Sequence, residues 1–229
     1  MKNSDFFYLS EFSENIFLIK LVKDSLHSHN SLFFLSLSKF LRTKSVWQEV
    51  ISAEESIAVK YDSLKVSSTK AKDLILSDIK EFEYQDECKE GVLIHVPVYY
   101  SEEFGLDIEE LITIQSISRQ ELVDLHSSVD YEVKMIGFNP GFAYLGDLPE
   151  KLKVSRLSKP RINLLPGSVG IAGNRTGIYP FGGPGGWRII GRTPIGLFDK
   201  NKVDPFLINP GMRVKFEPIN KKQYESFDS

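Results

Sequence analysis

The sequence predicts an α+β protein in which an N-terminal ferredoxin-like βαββαβ domain precedes a β-rich domain. An abrupt change of composition separates the two halves: residues 1–90 contain neither glycine nor proline, and all 16 glycines and 11 prolines follow. A segment without these residues favours long regular elements, whereas frequent glycine and proline favour short strands and turns. We place the boundary within residues 85–92. The predicted organisation is an N-terminal domain of residues 1–90, a C-terminal domain of residues 91–220 and a polar tail of residues 221–229.

Hydrophobic periodicity gives the elements of the first half. Residues 31–41 and 68–82 repeat apolar side chains at helical spacing, which predicts two helices with one buried face each. Strands are predicted where apolar residues run together or alternate with polar ones, at residues 15–22, 47–51, 57–61 and 91–98. In chain order these elements read βαββαβ, the split-βαβ arrangement typical of ferredoxin-like domains.

Short apolar runs dominate the second half. Two short helices come first, because Asp107 with Glu110 and Ser118 with Glu121 have the spacing of a capping box. Alternation predicts a strand over residues 131–135, and the runs SVGIAG, TGIYP, WRIIG, IGLFD and RVKFEPI follow between glycine and proline turns. Such frequent short strands favour a β-barrel or a β-sandwich. The final segment, NKKQYESFDS, is polar and is expected to fray.

Several common catalytic and targeting motifs are missing from the sequence. It contains no G-x-x-x-x-G-K-[ST] phosphate loop, no G-x-G-x-x-G after a strand, no H-E-x-x-H and no G-x-S-x-G. His27 and His29 form a pair without further ligands nearby, so we predict no metal site. The single cysteine, Cys88, excludes an internal disulfide and fits a reducing compartment. We expect no signal peptide and no membrane span.

Positive charge is concentrated in one part of the second half. The net charge of −3 does not indicate a nucleic-acid-binding protein. Residues 137–198 nevertheless carry eight lysines and arginines against two acidic residues, Asp147 and Glu150. Arginine side chains match the geometry of carboxylates and phosphates. This part is therefore interpreted either as a site for small anions or as a solvated basic rim.

Candidate site residues fall in this charged part. Arg156 and Arg161 flank a proline and are expected to clamp one anion, while amides in glycine turns such as Gly185 and Gly186 supply further donors. Other candidate donors are Ser168, Thr176, Tyr179 and Arg192. Aromatic residues are expected either to wall a pocket or to lie in the core: Phe138, Phe142, Tyr144 and Trp187. Arg161 and His126 are the candidate catalytic residues, although a helix-terminal histidine such as His126 is also a common structural partner of the helix dipole.

Several motifs in this half resemble one known family. They are GFNPGFAYLGDLP (137–149), the arginine pair of SRLSKPR, GSVGIAG (167–173), TGIYP (176–180), GGPGGWRIIGRTP (182–194) and LFD (197–199). The segments VPVYYSEEFGLDIEEL (96–111) and LHSSVDYEVKMIGF (125–138) extend the similarity, which is fainter over residues 1–90. In this order the motifs resemble the KipI/PxpB family, also called allophanate hydrolase subunit 1 or carboxyltransferase subdomain C and D.

This resemblance implies a fold, an activity and partners. The fold would be an α+β domain followed by a cyclophilin-like β-barrel. The activity would be that of the B subunit of an ATP-dependent 5-oxoprolinase, which converts 5-oxoproline to glutamate in the cytoplasm. The subunit would be active only with a PxpC-type chain (allophanate hydrolase subunit 2) and a PxpA-type chain. ATP would be a co-substrate of the assembled complex, and this chain alone would bind no cofactor.

Two other functions stay open at this point. KipI-type members of the family inhibit a sensor histidine kinase, and an apolar groove of the barrel would then dock on the kinase. Other members belong to biotin-dependent urea or allophanate systems, and this chain would need a biotinylated partner because it has no M-K-M-type segment. In the 5-oxoprolinase hypothesis the basic residues would face the carboxylate of 5-oxoproline or the phosphates of ATP.

Overall fold

The computed structural model of the chain describes residues 7–22, 31–84 and 91–227. The chain divides into two units, residues 1–89 and residues 90–229. A separate hydrophobic core lies in each of them. His27, His29 and Cys88, which the sequence analysis interpreted, lie outside the described residues.

An antiparallel sheet and two helices make up the described part of the first unit. Its elements are β1 (Phe7–Ser13), β2 (Ile16–Leu21), α1 (Ser31–Arg42), β3 (Trp47–Ser52), β4 (Ser56–Tyr61) and α2 (Ser68–Glu81). The strand order is β1-β2-β4-β3. Alternation along the strands directs one set of apolar side chains into the core, where they meet the buried faces of both helices. Residues from the strands and helices in this core include Phe17, Ile19, Val59, Phe34, Leu37 and Ile75.

The order of elements in the first unit differs from the predicted βαββαβ arrangement. Both helices and the strands β2, β3 and β4 lie where expected, but the described residues read ββαββα. The predicted strand over residues 91–98 pairs within the second unit instead. Its expected place beside β2 is occupied by β1, which runs antiparallel to β2. The segment of β1 reads FYLSEFS, in which apolar and polar residues do not alternate strictly, so its pattern did not identify a strand.

Nine strands and three α-helices are described in the second unit, together with one short 3-10 helix (Glu150–Leu152). They are β5 (Leu93–Val98), α3 (Ile108–Gln115), α4 (Arg119–Ser127), β6 (Asp130–Ile136), β7 (Ala143–Gly146), β8 (Arg161–Leu164), β9 (Ser168–Ala172), β10 (Arg175–Ile178), β11 (Gly183–Gly185), β12 (Arg188–Arg192), β13 (Arg213–Pro218) and α5 (Lys221–Glu225). Seven strands form one sheet in the order β12-β9-β10-β7-β6-β13-β5, and β8 pairs with β11 in a separate ribbon. This unit confirms the predicted pair of short helices and the strand near residues 131–135.

The larger sheet is curled into a nearly closed barrel. Tyr99, directly after β5, forms an antiparallel bridge with Arg192 in β12, so the two ends of the sheet meet. The Tyr99 N–H donates to the Arg192 carbonyl at 2.9 Å, and the Arg192 N–H donates to the Tyr99 carbonyl at 3.2 Å. Of the two architectures expected from sequence, the structure therefore has the barrel-like one. Its buried core includes Val96, Tyr131, Leu145, Ile171, Ile190 and Phe216, with Leu111 and Leu122 from the helices.

The polar segment after β13 contains a capped helix rather than a frayed tail. The Asn220 side chain accepts a hydrogen bond from the Gln223 N–H at 3.0 Å, and the Gln223 side chain accepts one from the Asn220 N–H at 2.9 Å. Tyr224 on α5 is buried against the rings of Tyr99 and Phe104. The buried ring of Tyr224 thus packs this otherwise polar segment against the rest of the second unit. Across the described residues, no helix combines the length and the apolar character that a membrane crossing requires.

Replacing Asn220 should weaken the attachment of α5. We expect Asn220→Ala to lower the free energy of unfolding by about 1 kcal/mol, because it removes the side-chain oxygen that accepts the hydrogen bond of the Gln223 N–H at the helix start. Urea unfolding measures the loss, and Lys222→Ala, an exposed change on the same helix, is the control. Equal stability of the two variants would show that the cap contributes nothing.

Candidate functional site

A cleft of about 310 Å³ lies beside the β8–β11 ribbon of the second unit. Its lining residues are Phe138, Phe142, Tyr144, Arg156, Leu157, Pro160, Tyr179, Pro184, Gly185, Gly186 and Trp187. Eight of these eleven were predicted site residues, so the structure brings most of the candidates together. The three that sequence analysis missed are Leu157, Pro160 and Pro184. Each is adjacent in sequence to a predicted residue, and that adjacency was the only signal available.

Edge-to-face aromatic rings form one wall of the cleft. The Phe142 ring lies 4.9 Å from Tyr144, 5.1 Å from Tyr179 and 5.5 Å from Trp187, centroid to centroid. Phe142, Tyr179 and Trp187 are buried and belong to one hydrophobic cluster. Both interpretations of the aromatic residues therefore apply, because these rings pack as core and also line the cleft. Such edge-to-face packing holds the rings in fixed orientations.

Phe138 stands at the rim of the same wall and is 60% exposed. Its backbone has a φ of 67°, in the left-handed region that bulky side chains rarely adopt. The surrounding turn is held by hydrogen bonds from the Asn139 N–H to the Gly137 carbonyl at 2.8 Å and from the Phe142 N–H to the Asn139 carbonyl at 3.0 Å. The turn thus keeps an exposed aromatic ring at the mouth of the cleft despite an unfavourable backbone conformation.

Arg156 supplies positive charge at the cleft. It is exposed, and no carboxylate among the described residues forms an ion pair with it. Burial raises the pKa of the Tyr179 hydroxyl above its ordinary value, and a hydrogen bond from the Trp187 backbone and the charge of Arg156 offset only part of that rise. Tyr179 is therefore protonated at neutral pH and can donate a hydrogen bond. The cleft presents a cation and a neutral hydroxyl beside aromatic rings.

One backbone hydrogen bond and the side chain of Arg188 hold the loop that carries Arg156. The Leu157 N–H donates to the Gly186 carbonyl at 2.8 Å. The Nε of Arg188 donates to the Ser155 carbonyl at 3.3 Å, and Arg188 also pairs with Glu110 at 2.7 Å. These contacts fasten the loop to the segment that contains Gly186 and so set where Arg156 can reach.

The expected arginine clamp is not formed, because Arg161 has another partner. Its Nη1 donates to Asp107 Oδ2 at 2.9 Å and its Nη2 donates to Asp107 Oδ1 at 2.7 Å. Arg161 is not part of the cleft lining, whereas Arg156 is. Asp107 was expected to cap α3, but it makes no side-chain cap hydrogen bond there. The cap predicted at Ser118 is present, with the Glu121 N–H donating to its hydroxyl at 3.1 Å.

His126 lies in the barrel core rather than along the cleft. The Tyr100 hydroxyl is 2.7 Å from its Nδ1, and the Thr176 hydroxyl is 2.8 Å from its Nε2. Thr176 in turn donates to the Gly170 carbonyl at 3.1 Å, so Nε2 carries the proton and Nδ1 accepts from Tyr100. Burial lowers the pKa of His126 to about 3. His126 and Thr176 thus form a buried neutral network that offers no contact to a ligand in the cleft.

Two further predicted donors are also engaged outside the cleft lining. The Ser168 hydroxyl donates to the Leu165 carbonyl at 2.7 Å and is buried. The Nε of Arg192 donates to the Pro166 carbonyl at 2.8 Å, and its guanidinium lies 5.1 Å from the centre of the Phe104 ring. In the described parts of the chain, no group of three or more histidine, cysteine, aspartate or glutamate residues is arranged to hold a metal ion.

Fold and site together define a mixed α/β protein whose barrel-like sheet carries a cationic, aromatic cleft. The family model described as "Carboxyltransferase domain, subdomain C and D" matches residues 8–208. The chain therefore belongs to the carboxyltransferase subdomain C and D family, which confirms the resemblance drawn from its motifs. Because the match covers both units, family membership does not rest on the cleft motifs alone.

Curated relatives are similar to this chain over more than half of its length. The B subunit of 5-oxoprolinase from Bacillus subtilis (strain 168) is 43% identical over 135 residues, which are 59% of this chain and 56% of the relative. The protein of the same name from Escherichia coli O157:H7 is 45% identical over 129 residues, 56% of this chain and 59% of the relative. The matched region thus spans little more than half the length of these curated relatives.

Solved structures show the same fold. A conserved uncharacterized protein from Pyrococcus horikoshii is 36% identical, with 95% of this chain and all of the other covered and a TM-score of 0.57. The urea carboxylase of Kluyveromyces lactis has a TM-score of 0.77 at 15% identity, with 96% of this chain and 22% of the other covered. The second likeness concerns the fold alone.

Proposed function

We propose that this chain is the B subunit of an ATP-dependent 5-oxoprolinase that converts 5-oxoproline to glutamate. The cleft with Arg156 at its edge is the observation that carries the proposal, since 5-oxoproline is a small, flat lactam with one carboxylate. Arg156 has no carboxylate partner among the described residues and is free to take that of a ligand. The names of the relatives from Bacillus subtilis and Escherichia coli support the same assignment.

Each group of the cleft has a task in this proposal. Arg156 binds the carboxylate of 5-oxoproline, and the aromatic wall contacts the flat ring of the lactam. The protonated Tyr179 donates a hydrogen bond to an oxygen of the ligand. Gly185 and Gly186 let the backbone approach the ligand closely, because they carry no side chains.

Catalysis in this proposal requires partner subunits. The described cleft lining contains no carboxylate, histidine or cysteine, so in this proposal those catalytic groups come from the partner chains. The chain would bind and orient 5-oxoproline, while a PxpC-type chain and a PxpA-type chain complete the active complex and ATP serves as its co-substrate. We further propose that the barrel is cyclophilin-like and that the complex works in the cytoplasm.

The two alternative functions have weaker support. A KipI-type inhibitor would use the cleft region to dock on a sensor histidine kinase, and the urea or allophanate role would require a biotinylated partner. The urea amidolyase from Saccharomyces cerevisiae is only 22% identical over 209 residues, and the matched region is 11% of its length. The 5-oxoprolinase assignment is preferred because relatives with that name reach 43% and 45% identity.

Substitution of Arg156 tests the proposal in the reconstituted complex. With PxpA- and PxpC-type chains present, Arg156→Ala should lower kcat/KM for 5-oxoproline-dependent ATP hydrolysis roughly 10- to 100-fold, the usual loss when a hydrogen bond to a charged group is removed. Lys159→Ala is the matched control, because Lys159 is an exposed cation on the same loop and does not line the cleft.

Two results would count against the proposal in different ways. A wild-type complex without 5-oxoproline-dependent ATP hydrolysis would refute the activity. Equal activity of Arg156→Ala and Lys159→Ala in a working complex would refute the cleft as the substrate site. Tight binding of the chain to a sensor histidine kinase, without any such hydrolysis, would favour the inhibitor instead.

A further inference from the structure

Asp107 is a buried carboxylate that joins three segments around the cleft. It is 2% exposed and forms two hydrogen bonds with the Arg161 guanidinium, at 2.7 and 2.9 Å. Its Oδ2 also accepts a hydrogen bond from the Ile189 N–H at 2.6 Å, and its own N–H donates to the Ile189 carbonyl at 2.9 Å. The start of α3, the start of β8 and the strand β12 are thereby tied to one residue.

Each partner of Asp107 is a near neighbour of a residue that lines the cleft. Pro160 directly precedes Arg161, and Trp187 lies two residues before Ile189. Within the ribbon, Arg161 pairs with Gly185, which is another lining residue. The Asp107–Arg161 ion pair is therefore joined through the backbone to the cleft wall without being part of its lining, and a shift of either partner would move lining residues.

The chemistry of this contact makes it a rigid one. Two parallel hydrogen bonds between a guanidinium and a carboxylate fix the relative orientation of the two planes, which a single contact does not. Breaking the pair leaves the buried Asp107 carboxylate without its counter-charge, so separation is strongly disfavoured. A lysine at position 161 would keep the charge but would lose the paired geometry.

We propose that Asp107 and Arg161 are positioning residues, which set the distance between the Pro160 and Trp187 sides of the cleft without touching the ligand. This assigns Arg161 a role other than the anion clamp expected from its sequence. The inference about cleft geometry stands on the contacts above, and only its consequence for 5-oxoproline rests on the proposed function.

Fluorine NMR of the chain labelled with 5-fluorotryptophan tests the geometry directly. The protein has two tryptophans, Trp187 in the cleft wall and Trp47 in the first unit. Arg161→Ala and Asp107→Asn should shift or broaden the Trp187 resonance and leave that of Trp47 in place. Arg119→Ala is the matched control, because Arg119 pairs with surface glutamates and does not line the cleft. An unchanged Trp187 resonance in both variants would overturn the inference.

Kinetics of the reconstituted complex separate positioning from catalysis. Arg161→Ala should raise KM for 5-oxoproline roughly 10-fold with kcat within about twofold of the wild type, as expected for a displaced binding wall. Arg161→Lys should have an intermediate effect. A large fall in kcat at unchanged KM would overturn the inference, since it would place Arg161 in the chemical step.

The two experiments also distinguish this inference from the proposed function. A shifted Trp187 resonance with unaltered kinetics would support the positioning role and would reject the cleft as the 5-oxoproline site. If Arg161→Ala fails to fold, which urea unfolding of the variant reports, Arg161→Lys decides by the same criteria.

Discussion

Lowering the pH from 7 to 5 should reduce the stability of the barrel unit by about 2 kcal/mol through His126 alone. The folded-state pKa of His126 is about 3 because its ring is fully buried, whereas the ordinary value is 6.5. The folded pKa is the lower of the two, so the unfolded chain takes up the proton first as the pH falls. The stability contribution is therefore complete above about pH 6.5 and is lost progressively toward pH 3.

The removal of this titrating group provides the control. His126→Gln keeps an amide that can hydrogen-bond to Tyr100 and Thr176 but does not titrate in this range, so its stability should change less between pH 7 and 5. Urea unfolding of both proteins at the two pH values measures the difference. If the free energy of unfolding changed equally with pH in both proteins, His126 would be protonated at pH 5 in the folded protein as well, as an imidazole exposed to solvent would be.

Gly167→Ala should destabilise the same unit by about 3 to 5 kcal/mol, among the larger effects of single substitutions. Gly167 has a φ of 82°, and a Cβ there would lie 2.3 Å from the Thr193 carbonyl oxygen. The backbone cannot move away, because the Gly167 N–H donates to the Tyr179 carbonyl at 2.7 Å and its carbonyl accepts from the Thr193 N–H at 2.9 Å. Backbone strain and a steric clash therefore add together.

A second glycine separates these two causes. Gly173 has a φ of 58°, and a Cβ added there would have no atom within 4 Å. Gly173→Ala should therefore cost only about 1 to 2 kcal/mol, from the left-handed conformation alone. Chemical unfolding of both variants gives the comparison. If Gly167→Ala lowered the free energy of unfolding by no more than Gly173→Ala, the Thr193 carbonyl would have to move aside to accommodate the added Cβ.

Local patterns in the sequence were sufficient for most helices and strands but not for their pairing. The helices α1 and α2 and the strand β4 follow from periodicity, because each buries one regular face. The assignment of residues 91–98 to the first sheet was wrong because β5 pairs with β13, more than 100 residues further along the chain. The local pattern of a strand does not indicate which distant strand it will pair with.

The candidate site was predictable in composition but not in geometry. Glycines, aromatics and a basic loop close together in sequence indicated a pocket, and the cleft contains most of them. Arg156 and Arg161 had the same local appearance, and only the structure separates them, since Asp107 lies 54 residues before Arg161. His126 ends a helix, as a dipole partner would, but its burial depends on strands that are distant in sequence.

The parallel pairing of β5 with β13 also bears on how the protein is made. In the first unit each strand lies beside at least one neighbour in sequence, β1 with β2 and β3 with β4, and α2 ends at Glu81. This unit can therefore fold on the ribosome while the rest is still being synthesised. The barrel cannot close until residues 213–218 have emerged to pair with residues 93–98. We therefore expect an early and a late phase of folding. Between the two phases β5 has not yet paired with β13, so the unpaired edge of β5 is accessible to chaperones.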